Sequence, residues 1–271
     1  MDNRPIGVFD SGVGGLTVVK ELMKVLPNED IIYFGDTGRV PYGTRSRETV
    51  LKYAAEDIAF LEKNNVKMII AACGTVSSIV GSASVTSCGL DYTGVVVPAS
   101  QAACSLSPSG RIGVIGTTAT IRSGAYGKAI RNIRAEARVI GKDCPLFVPL
   151  VENGYFNFDN EVTRLVAKDY LKVFDNEDID TLILGCTHFP LLSEIISEYF
   201  NYSVTLIDPG YETARHCASV LTSKQMLNDS GKPGTYHYYV SDSPENFSSC
   251  AEMFLKKSIV GQVEKIDLDA L

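Results

Sequence analysis

Short, continuous apolar runs separated by longer amphipathic stretches dominate this sequence, and that alternation leaves few folds open. Residues 6–9, 31–34, 66–72, 94–97, 111–115, 146–150, 181–184 and 204–207 read as strands. A strand buried on both faces shows no polar alternation, so such runs, interleaved with helices, predict a parallel sheet covered on both sides. Between them, residues 48–64 have helical periodicity through Val50, Leu51, Ala54, Ile58 and Leu61. The expected fold class is α/β.

The chain also repeats its own landmarks. Residues 5–11 resemble residues 111–117, the strand before Cys73 resembles the strand before Cys186, and residues 95–98 resemble residues 206–209. Three landmarks in one order at a near-constant offset predict two pseudo-symmetric α/β halves. The alternative is chance similarity, since buried strands draw on few residue types. Beyond residue 210 come a helical pattern, a Ser/Gly/Pro turn region at 228–234 and a strand-like segment at 236–240. A tail with its own strand can return to the first half. The expected division is residues 1–98 plus 210–271 as a discontinuous first domain and residues 99–209 as a second. Their mostly parallel sheets face an interdomain cleft, where the carboxyl ends of the strands converge and pockets form.

A formal net charge of −7 opposes general nucleic-acid binding, which needs basic surface to displace counterions. No apolar stretch approaches the ~20 residues of a membrane helix. The opening residues lack the charged-then-apolar build of a secretion signal, so a cytoplasmic protein is expected. Seven cysteines, odd in number, irregularly spaced and without a C-x-x-C pair, argue against a disulfide framework and a zinc knuckle. Cys88, Cys104, Cys144, Cys217 and Cys250 read as small buried residues.

The other two cysteines sit in matching settings. Cys73 follows an apolar run and precedes Gly74-Thr75; Cys186 follows another and precedes Thr187-His188. A modest push makes a thiolate near neutral pH, and helix starts and neighbouring donors supply it. Two thiols presented in this way suit chemistry that needs acid/base groups on opposite faces of one small substrate. His188 can hold or relay a thiol proton, or it is a packed histidine. Asp10, entering the glycine-rich turn 10–15, reads as a helix N-cap or as a carboxylate beside a cation or a proton. The turn lacks the Lys-Ser/Thr of a P-loop and departs from G-x-G-x-x-G. Glu152 reads as a carboxylate just past a strand or as a solvated loop residue. Thr75, Thr117, Thr120 and Thr187 can donate to a carboxylate or cap helices. Tyr42-Gly43 offers a backbone amide and a ring wall, or an ordinary turn.

Together, the segments 9–16, 41–43, 72–75, 151–154 and 184–192 resemble the glutamate racemases of the aspartate/glutamate racemase superfamily, with a match reaching about residue 215. The resemblance implies two pseudo-symmetric α/β domains with the C-terminal segment returning to the first, and commonly a homodimer. It implies interconversion of L- and D-glutamate without cofactor or metal, the D form entering peptidoglycan. Carried over, Cys73 and Cys186 are the two acid/base thiols. Asp10 assists Cys73, His188 assists Cys186, and Glu152 takes part. Asp10, Ser11, Tyr42, Gly43, Thr75, Thr187 and His188 match substrate-contact positions, with Gly74, Thr117 and Thr120 beside them. One departure stands out: the family pattern has Asn where this chain has Gly74. Glycine keeps only the backbone amide, which leaves room for aspartate or another small carboxylic acid as substrate. A different class of reading is a non-catalytic amino-acid-binding or regulatory protein.

Overall fold

The computed structural model describes residues 1–80, 89–259 and 261–268. Cys88 lies outside them. In chain order come β1 (Ile6–Asp10), α1 (Leu16–Val25), β2 (Ile31–Gly35), α2 (Arg47–Lys63), β3 (Met68–Ala71), α3 (Gly74–Ile79) and β4 (Asp91–Gly94). A second series follows: α4 (Val96–Leu106), β5 (Arg111–Gly116), α5 (Thr118–Ser123), α6 (Ala125–Ile133), β6 (Arg138–Asp143), α7 (Phe147–Glu152), α8 (Glu161–Leu171), β7 (Thr181–Leu184), α9 (Ser193–Tyr199) and β8 (Thr205–Ile207). The tail adds α10 (Pro209–Ser223), β9 (Tyr236–Val240), α11 (Pro244–Leu255) and β10 (Val263–Lys265).

Among the described residues, all strand pairs are parallel. One sheet has the order β10-β9-β2-β1-β3-β4 and the other β6-β5-β7-β8. The order 2-1-3-4 of the first recurs in the second as 6-5-7-8, so the internal repeat is a repeat of topology. The tail strand β9 pairs with β2, returning the chain to the first sheet. Central strands β1, β3 and β7 are buried throughout, which is why they read as unbroken apolar runs.

Two expected strands are corrected. Residues 94–97 straddle the end of β4 and the start of α4: Val95 is already in the right-handed helical region, and Pro98 sits in the first turn, where a missing amide proton costs nothing. Residues 146–150 belong to α7, in which only Phe147 and Val151 are buried, a spacing of one helical turn. The true strand there, β6, is an edge strand with polar, partly exposed residues and escapes a search for apolar runs. Glu152 therefore ends a helix and does not follow a strand.

The largest apolar cluster runs continuously between the sheets, from Leu22 and Tyr33 through Leu184, Phe189 and Leu221 to Phe254. Behind the first sheet lies a buried ionic clasp. The Lys67 ammonium sits 2.5 Å from Glu29 Oε2 and donates to the carbonyls of Asp2 (2.7 Å) and Met226 (2.8 Å). Glu29 Oε1 accepts from the Asn228 amide at 2.8 Å. The clasp ties the N-terminus and the segment after α10 to the entrance of β3. No helix of the described residues is long and apolar enough to cross a membrane.

Candidate active site

A cavity of about 420 Å³ opens beyond the carboxyl ends of the strands of both sheets. Its volume falls in the range of small-molecule sites. The first sheet contributes Ser11, Tyr42, Gly43, Cys73, Gly74 and Thr75; the second contributes Thr117, Glu152, Cys186, Thr187 and His188. The two cysteines arrive there by equivalent routes. Phe9 pairs with Ala71 and Ile115 with Leu184, so each cysteine lies two residues beyond the strand that neighbours its sheet's first strand. Among the described residues, no group of three His, Cys, Asp or Glu side chains is placed to hold a metal ion.

The thiols share a position but not their surroundings. Cys73 donates to Ser11 Oγ at 3.5 Å. Burial, with the Asp10 carboxylate adding to it, pushes the Cys73 thiol up to about 12, so it is a thiol at neutral pH. Asp10 is itself buried, accepts from the Gly12 amide at 3.0 Å through Oδ2, and leaves Oδ1 without a hydrogen-bond partner. Desolvation raises its pKa, opposed by the charge of His188. A proton on Asp10 would remove the cost of a buried charge.

Around Cys186 the helper is an imidazole. His188 Nδ1 lies 3.8 Å from Cys186 Sγ and 3.4 Å from Thr187 Oγ1, and Nε2 lies 2.9 Å from Glu152 Oε1. Burial pulls the His188 pKa down, but the thiol and the Glu152 carboxylate outweigh it and raise it to about 10. His188 is therefore an imidazolium at neutral pH, placed to exchange a proton with Cys186, while Glu152 remains partly open to solvent. An unfolded histidine releases its proton near ~6.5. The stability contributed by this pairing is thus complete below that pH and is lost as pH rises through about 10. Glu152→Gln removes one of the two raising neighbours, and the His188 titration followed by imidazole NMR is expected to move to lower pH. An unmoved titration would show that Glu152 does not hold the imidazolium.

Two expected substrate contacts lie one layer back. Asp10 is absent from the cavity wall, because its carboxylate turns under the glycine loop to the Gly12 amide. Thr120 is buried and reaches the wall only through Thr117, Oγ1 to Oγ1 at 2.9 Å. Thr117 in turn meets Thr75 Oγ1 at 3.0 Å, a hydroxyl bridge between the two sheets' loops. Tyr42 lines the cavity but is almost fully buried, with its hydroxyl turned away from the site towards Asp36. Cys144, read as a plain core residue, is buried but also lines the cavity, together with Pro145, Val148 and Pro149. Their signal was hidden by the half-exposed strand β6 that delivers them.

The glycines now have a physical reason. A Cβ on Gly14 would stand 2.2 Å from Thr187 Oγ1 and 2.5 Å from His188 Cε1, so the first glycine loop is bare where it meets the second cysteine loop. A Cβ on Gly74 would stand 2.4 Å from the Gly185 carbonyl oxygen. The asparagine of the family pattern could enter here only if that backbone moved. Gly74→Ala is expected to lower kcat/KM by about 10- to 100-fold, since a displacement of order 1 Å between catalytic groups has that effect. Unaltered kinetics would show that the contact is not maintained in solution.

Two layered sheets of matching order, with a cysteine from each in one cavity, define a class of protein. The chain belongs to the Asp/Glu/hydantoin racemase family, whose model matches residues 8–217. Within that family its particular likeness is to glutamate racemases. The glutamate racemase of Geobacter metallireducens is 46% identical over 267 residues, covering 98% of each chain. The crystal structure of glutamate racemase from Francisella tularensis in complex with D-glutamate superposes with a TM-score of 0.92 at 42% identity, covering 100% of both chains. The aspartate racemase of Picrophilus torridus shares the fold alone, at 17% identity and a TM-score of 0.56 over 82% of this chain and 94% of that one.

Proposed function

We propose that this chain interconverts L- and D-glutamate by proton transfer between the α carbon and two thiols, Cys73 and Cys186, without a cofactor. The observation that carries the reading is the placing of both cysteines on one cavity, each with its own acid/base partner. In one direction Cys186, as a thiolate paired with the His188 imidazolium, takes the α-hydrogen, and the Cys73 thiol delivers its own proton to the other face. In the reverse direction the roles exchange. Asp10 serves Cys73 as a buried partner, and Glu152 holds the His188 imidazolium. Ser11, Gly43, Gly74, Thr75, Thr117 and Thr187 supply hydroxyls and amides for the substrate's carboxylates and ammonium. Such preorganised donors stabilise the carbanion-like state in a water-poor site; an acid/base group alone adds only ~10²–10⁴-fold.

The product D-glutamate would serve peptidoglycan synthesis, in the cytoplasm. The division into residues 1–98 plus 210–271 and residues 99–209 would let the two lobes close over glutamate, and a homodimer is the expected assembly. The test is incubation of either glutamate enantiomer with purified protein in deuterated water, with no added cofactor. Deuterium is expected at the α carbon with loss of optical purity from both enantiomers. No exchange from either, with protein shown to be folded, would overturn the reading.

A further inference from the structure

The cavity wall formed by Val40, Pro41, Tyr42, Gly43 and Thr44 rests on a buried network that reaches the site through Tyr42. Asp36, directly after β2, and Asp57, on α2, are both fully buried. The Tyr42 hydroxyl donates to Asp36 Oδ2 and lies 3.4 Å from Asp57 Oδ2. Arg39 bridges both acids, with Nε 2.6 Å from Asp36 Oδ2 and Nη2 3.1 Å from Asp57 Oδ1, and its Nη1 pairs with Glu56. The guanidinium lies over the Tyr53 ring, 4.1 Å from its centroid, and the Tyr42 ring packs on Tyr53 at 5.4 Å. From the tail, Ser241 Oγ donates to Asp36 Oδ1 at 2.7 Å. Across the cavity, a Cβ on Gly43 would stand 3.1 Å from Thr117 Cβ, so this wall meets the second sheet's loop directly.

We propose that Asp57 is a positioning residue: through Arg39 and Tyr42 it fixes the Val40–Thr44 wall, and so sets substrate affinity without touching the substrate. The proposal rests on the racemase reading for its substrate, glutamate. Two buried acids cannot share one guanidinium, already paired with Glu56, as two bare charges. Burial and the adjacent Asp36 charge push the Asp57 carboxyl well above its ordinary value, in favour of the protonated form. With Asp57 protonated, its proton would go to the Tyr42 oxygen while the Tyr42 hydroxyl donates to Asp36. A neutral side chain with one acceptor for Arg39 and one donor for Tyr42 meets the same requirement, and asparagine is such a side chain.

The test compares Asp57→Asn, Asp57→Ala and Tyr42→Phe with the unmodified chain, by racemisation kinetics and by calorimetric glutamate binding. Asp57→Ala and Tyr42→Phe are expected to raise KM and the glutamate Kd about tenfold, with kcat within about twofold, the pattern of lost uniform binding. Asp57→Asn is expected to restore values near those of the unmodified chain. A merely structural role would lower kcat in proportion to folded protein and leave KM unchanged. Unchanged KM and Kd in Asp57→Ala would overturn the proposal, as would an Asp57→Asn variant as impaired as Asp57→Ala. If Asp57→Ala does not fold, Tyr42→Phe and Asp57→Asn decide alone. An unmodified chain that binds glutamate without turnover would sink the racemase reading, while the Kd comparison still judges the role of Asp57.

Discussion

Cys73→Ala and Cys186→Ala are each expected to reduce glutamate racemisation by at least ~10²–10⁴-fold, the effect of one lost acid/base group. Inversion needs a proton removed on one face and another delivered on the opposite face, so neither thiol can cover for the other. The two losses are not equivalent in detail. Cys73→Ala leaves Cys186 with its imidazolium partner, and Cys186→Ala leaves a Cys73 thiol that burial holds up to about 12. Each variant keeps one base, so any residual α-deuterium exchange is confined to one enantiomer, and the favoured enantiomer differs between the two variants. Circular dichroism reports the inversion and NMR the exchange. Full activity in either variant would refute the two-thiol scheme.

Lys67→Ala is expected to lower global stability by ~3–5 kcal/mol, a large share of the ~5–15 kcal/mol by which domains are stable. The lysine is fully buried, and all three of its ammonium protons have a nearby oxygen, from Glu29, Asp2 and Met226. Removing it strands the Glu29 carboxylate and two carbonyls away from water. The paired change Glu29→Leu with Lys67→Met removes both charges at once and is expected to recover only the part of the loss due to the unpaired carboxylate, since the Asp2 and Met226 carbonyls and the Asn228 amide then lack partners. Urea unfolding measures both. A loss below about 1 kcal/mol in Lys67→Ala would show that water reaches the clasp.

Much of the fold was legible because the central strands are buried on both faces. β1, β2, β3, β5 and β7 have no polar alternation and declare themselves as runs of apolar residues. Edge strands β4, β6 and β10 carry Asp91, Arg138, Lys142 and Glu264 on partly open positions, so their pattern resembles a loop. The same hidden edge misplaced α7 as a strand and concealed Cys144. The repeat was legible through β1 with β5 and β3 with β7, where equal burial demands equal residues.

The candidate site divides along a similar line. Cys73, Cys186, His188 and the glycine loop stand within five residues of a strand end, and the parallel sheets carry strand ends to one side of the molecule. Local sequence is enough for that much. Register then makes Ser11 the counterpart of Thr117 and Thr75 the counterpart of His188, so the symmetric thiols have asymmetric helpers. Glu152 meets His188 only because α7 ends opposite the second cysteine loop. Asp57, Arg39 and Asp36 come together behind Tyr42 through packing of α2 on the first sheet. Strand identity and the placing of the thiols follow from short-range burial patterns, which every residue of a strand records. Which charges share a buried space, and therefore which of them keep their protons, depends on contacts between distant segments, and no local pattern records those.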